Sequence, residues 1–112
     1  MPIPPLIQNL IDRLNFELIE IDNKATEGLN RVNALLSRFP DNAILIQYLA
    51  FFNTAQFFRA TSLQQLQAIT ETLSLPDNTE IIVAAGEDLG TLLGKVLEVK
   101  LKLERLMTRL EE

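Results

Sequence analysis

The sequence predicts an all-α fold, an antiparallel three-helix coiled-coil-type bundle with long helices that is oligomeric. Three observations carry this reading. Pro4, Pro40 and Pro76 stand 36 residues apart. Apolar residues before Pro40 and after Pro76 repeat about every 3.5 residues, the period of a left-handed coiled-coil seam. Between them runs a segment that is apolar nearly all the way round and so calls for cover on every side. The spacing makes residues 1–112 a single domain, with helices over about 5–39, 42–75 and 78–110.

The punctuation has a simple physical origin. Proline disfavours helical geometry in the residue before it, which makes Phe39 and Leu75 natural stops. Asp41 and Asp77 follow the prolines and suit N-caps, since a carboxylate can accept the orphan amide hydrogens of a first turn. Asp77 with Glu80 reads as a capping box. Each connector closes one helix and opens the next, and links this short set neighbouring helices antiparallel.

In the first helix the seam is Ile7, Ile11, Leu14, Leu18, Ile21, Ala25, Gly28, Val32, Leu35 and Phe39. Glu20 with Lys24 and Glu27 with Arg31 are i,i+4 pairs expected on the wet side, where Glu17 and Glu20 are also placed. In the third helix the seam is Ala85, Leu89, Leu92, Val96, Val99, Leu103, Leu106 and Leu110.

The middle helix differs. From Ala43 to Ala60 its one formal charge is Arg59, and it holds Tyr48, Phe51, Phe52, Phe57 and Phe58. These five aromatics point several ways, more than two neighbouring helices cover, so they are the predicted interface with a second chain. An apolar ligand pocket is the other use for such a run. Ser62 with Gln65 could recap a second segment, so a kink or short break is expected near residues 60–62.

Composition excludes several function classes. The net charge is −5, which repels nucleic-acid backbones and anionic membrane surfaces. Cysteine and histidine are absent, which removes thiolate and imidazole chemistry. Only carboxylates are left to hold a metal. The opening Met-Pro-Ile-Pro-Pro lacks the basic and apolar regions of a signal peptide. Ala43 to Phe58 is shorter than the ~20 residues of a membrane span. The expected location is cytoplasmic.

Gly86, Gly90 and Gly94 fall at i, i+4 and i+8 of the third helix. Each costs that helix roughly 0.5–1 kcal/mol relative to alanine, so the ridge is expected to serve close packing. Phe16 or Leu14 of the first helix, a partner chain, or a ligand on bare backbone would each answer to it. Lys95, Lys102, Arg105 and Arg109 share one stripe of the same helix. Cations there complement a helix C-terminus, or else meet an acidic partner.

Three matched heptad helices in this length resemble a spectrin-type repeat, although the tryptophan typical of that family's first helix is missing. Leu89 to Leu110, with Arg109-Leu110-Glu111, is similar to the helical spacers of type I restriction specificity subunits. That resemblance implies a spacer-like accessory of a restriction-modification assembly rather than a DNA reader. Glu87-Asp88-Leu89-Gly90 resembles the start of a Mg²⁺-binding motif of all-helical MazG-type pyrophosphohydrolases, with Thr91 where that motif carries Asp. The likeness implies a nucleotide hydrolase using Glu17, Glu20, Glu87 and Asp88. The reading favoured by the residues themselves is a non-enzymatic interaction or scaffold protein, a homodimer first of all. It has no cofactor, no metal, no catalytic residue and no direct nucleic-acid or membrane partner.

Overall fold

A computed structural model describes residues 3–74 and 79–111 of the chain. Three helices pack together into an all-helical bundle: α1 (Pro5–Leu36), α2 (Ala43–Leu73) and α3 (Thr79–Glu111). The molecule is a rod of 57 × 20 × 16 Å. Contacts rise in step along α1 and α3: Ile7 lies at Gly86, Glu17 at Lys100 and Arg31 at Glu111. Along α2 the numbers fall as those of α1 rise. Thr70 lines a groove with Ile11, Gln56 Nε2 donates to Thr26 Oγ1 at 3.2 Å, and Phe52 lies on Gly28.

The heptad pattern becomes the core. Ile7, Ile11, Leu14, Leu18, Ile21, Ala25, Gly28 and Val32 are buried on α1, and Ala85, Leu89, Leu92, Val96 and Leu103 on α3. Each large aliphatic side chain so hidden contributes about 1.5–3 kcal/mol against leaving it in water. From α2 the same cluster takes Leu45, Phe52, Ala55, Leu66 and Leu73.

The helix boundaries depart from the proline positions. α1 ends at Leu36, three residues before Phe39. Its last carbonyls are taken by a tightened turn: the Arg38 and Phe39 amides both donate to Leu35 O, and Ser37 Oγ donates to Ala34 O at 2.6 Å. Proline excludes Phe39 from the helix, and this turn unwinds the chain before it arrives there. The N-cap of α2 is Asn42, not Asp41. Asn42 is extended and its Oδ1 accepts the Leu45 amide at 3.0 Å. Asp41 is used up inside the preceding turn, which the Asn42 amide closes on Phe39 O. Leu75, Pro76, Asp77 and Asn78, with the proposed capping box, lie outside the described residues.

α2 has no break at residues 60–62. Thr61 Oγ1 donates back to Phe58 O, and Thr54 and Thr70 bond their own helix in the same way. The candidate cap Ser62 sits inside this continuous helix, where the amides of the next turn already have intrahelical partners and need no cap. Ser62 is buried inside the bundle.

Candidate functional site

Among the described residues no helix is long and apolar enough to cross a membrane. Nor do three or more acidic side chains converge as a metal-holding group. The four carboxylates of the hydrolase reading are not brought together. Glu87 and Asp88 are exposed on α3, and Glu17 is engaged elsewhere.

Glu17 is the clearest departure from the sequence reading. It is only 4% exposed, although its place between heptad positions assigned it to the wet side. Its Oε2 lies 2.8 Å from Lys100 Nζ. At this distance the two groups form a close ion pair. The close contact with the Glu17 carboxylate raises the Lys100 pKa above its ordinary 10.5. Glu104 and Glu20 add to this at longer range, against the opposing effect of burial. Among the described residues Glu20 and Lys24 form no ion pair, and Glu20 acts on Lys100 instead. The pair between Arg31 and Glu27 does form, at 2.9 Å, and Arg31 also reaches Glu111. A heptad count cannot anticipate a carboxylate one position beside the seam that meets a cation on another helix. The signal was Lys100, which sits at the matching level of the third helix.

The five aromatics of α2 separate into distinct roles. Phe52 is fully buried by its own chain and packs edge-to-face on Phe51 at 6.1 Å between centroids. Its place in an intersubunit surface is therefore corrected: it is core. Tyr48, Phe51 and Phe58 are half-buried. Phe57 is 72% exposed and faces away from Phe52. Around it the outer side of α2 carries Ile46, Ala50, Asn53 and Gln64, with no formal charge before Glu71. Arg59, the one charge between Ala43 and Ala60, is half-buried, and its Nε has no hydrogen-bond partner.

The glycine ridge also separates. Gly86 is in ordinary contact with Ile7, where a Cβ would lie 3.5 Å from Cδ1. At Gly90 and Gly94 a Cβ would meet nothing within 4 Å. Close packing inside the chain therefore accounts for neither, and Phe16, one of the side chains expected there, is itself exposed. The glycine that does receive a neighbour is Gly28, read from the sequence only as one more seam position.

Two open grooves complete the surface. One of about 510 Å³ between α1 and α2 is lined by Ile11, Asn15, Leu66, Thr70 and Glu71 among others, and offers no nucleophile beside a base. The second, about 280 Å³ between α2 and α3, has Phe51 and Leu106 as an apolar floor and Lys102, Arg105 and Arg109 along its rim. Those three cations form no ion pair among the described residues.

No family model, no curated protein and no solved structure matches this chain.

Proposed function

We propose that the chain is a non-enzymatic interaction or scaffold protein that associates with copies of itself through helical packing, as an antiparallel bundle of coiled-coil type. A homodimer is the first step of that association. The reading rests on one observation above the others: Phe57 stands 72% exposed at the middle of an α2 face that carries no formal charge from Ala43 to Ala68 apart from half-buried Arg59. Large aromatics left in water on a charge-free face mark an association surface rather than a solvated flank. Tyr48, Phe51 and Phe58 extend that apolar surface toward the neighbouring helices. The carboxylates are dispersed or already paired, which supports a binding role over hydrolysis.

The test is the solution mass of the protein across a dilution series, by light scattering. The wild type is expected to exceed the monomer mass at micromolar concentration. Phe57→Glu is expected to lower it while leaving helicity intact, because Phe57 takes no part in the core. A strict monomer throughout the series would overturn the reading.

A further inference from the structure

We propose that the outward face of α3 binds a second copy of the chain, antiparallel and two-fold symmetric at the level of Val96, with Glu87 of each copy paired to Arg105 of the other.

The face lies opposite the α3 core positions. Eighteen residues are five turns of an α-helix, so residues that far apart stand in one line. Glu87 and Arg105 are eighteen apart, and so are Val83 and Leu101. All four are exposed, the two aliphatics by more than half. Gly90 and Gly94 lie between them on the same side, with open space above their backbone. Neither Glu87 nor Arg105 forms an ion pair within its own chain among the described residues.

Bare glycine backbone by itself names no occupant. The charges do. When two copies of one helix pack antiparallel about a two-fold axis, residues equally far before and after the axis meet, and each contact occurs twice. Glu87 is nine residues before Val96 and Arg105 nine after it, so the axis at Val96 sets acid against base in both places. The same arrangement sets Leu101 of one copy level with Thr91 of the other, beside the gap at Gly90, where a leucine has room. Parallel packing would instead oppose Glu87 to Glu87 and Arg105 to Arg105, which like-charge repulsion disfavours. A face that is self-complementary in only one of its two registers selects a second copy in that register.

This contact lies on a different helix from the Phe57 face. Either contact alone gives a dimer, and both together give a larger assembly. The two are separated by working in the Phe57→Glu background, where the α2 face is blocked. There the protein is expected to dimerise still. Glu87→Arg or Arg105→Glu alone should weaken that dimer about tenfold in Kd, since each reversal acts twice. The combined E87R and R105E variant should restore it. All four side chains of the pair are exposed, so helicity by circular dichroism should not change. A Phe57→Glu protein that is monomeric at every concentration, single reversals without effect, or reversals that the combination does not rescue would each overturn the α3 contact. A monomeric wild type would overturn it together with the α2 reading. A wild-type oligomer indifferent to Phe57→Glu but responsive to the reversals and their rescue would overturn only the α2 reading.

Discussion

The ring of Phe52 on α2 occupies the space where a side chain of residue 28 on α1 would begin. A Cβ at Gly28 would stand 2.5 Å from Phe52 Cε1 and Cζ and 2.8 Å from Cδ1. Neither partner can give way easily, because Phe52 has no exposed surface and its ring is also held by Phe51. The closest approach of α1 and α2 is thus set by a glycine facing an aromatic.

Gly28→Ala should therefore destabilise the protein despite alanine's better helix propensity. Overpacking a filled core costs about 1–3 kcal/mol, against a propensity gain of about 1 kcal/mol. The expected net is a loss of up to about 2 kcal/mol by urea unfolding. An unchanged or raised midpoint would show that the ring relocates freely.

Gly90→Ala and Gly94→Ala should act in the opposite direction. Both glycines are exposed mid-helix with nothing within 4 Å of the added methyl, so each substitution gains about 0.5–1 kcal/mol from the chain's reduced freedom when unfolded. The comparison is cleanest for thermal melts at the lowest concentration, where association contributes least. A loss at either position would reveal a contact that the isolated bundle does not make.

The Glu17 and Lys100 pair should give stability a dependence on alkaline pH. The Lys100 pKa is raised in the folded chain relative to 10.5. Its contribution is then fully present below about pH 10.5 and disappears as pH climbs through the higher folded value. Glu17→Gln keeps the shape and removes the charge. It should be less stable by roughly 1 kcal/mol at neutral pH, with that gap closing above pH 10.5. A gap that stays constant from neutral to strongly alkaline conditions would mean that the pair is not coupled to folding.

Asn42→Ala should cost about 1 kcal/mol, the usual value of an N-cap, whereas Asp41→Ala should cost far less. Only Asn42 accepts an amide of the first α2 turn, that of Leu45. Equal losses at the two positions would place the cap elsewhere.

Much of the bundle was legible in the sequence because a heptad seam is a direct image of a helix face. Ile7 through Val32 and, half-buried Val99 apart, Ala85 through Leu103 are assigned inward by the seam and are inward. What escaped was whatever depended on the third dimension between seams. Glu17 lies one position beside the apolar line, and the sequence of α1 alone does not show that Lys100 of another helix meets it there. Phe52 and Phe57 look alike in sequence. Five residues of helix carry them to opposite sides, one into Gly28 and the other into water. Composition could say that α2 was too apolar for its neighbours, but not which ring was left over. The glycines mislead for the same reason. Three in a row suggested a packing ridge, while the lone Gly28 had the close neighbour. Proline fixed the number of helices, yet the final turn of α1 followed local hydroxyl and amide bonding at Ser37 and Arg38.

The matched climb of α1 and α3 carries a geometric implication for anything joined to this chain. Residue 111 lies beside residue 31, and residue 31 is twenty-four helical positions, about 36 Å, from residue 7. The start of α1 and the end of α3 therefore lie near opposite tips. A pair of fluorophores attached at residues 6 and 108 would read a separation of several nanometres. With three helices the first turn of α1 and the last turn of α3 stand at opposite tips of the rod, where an even number would have brought them to the same tip.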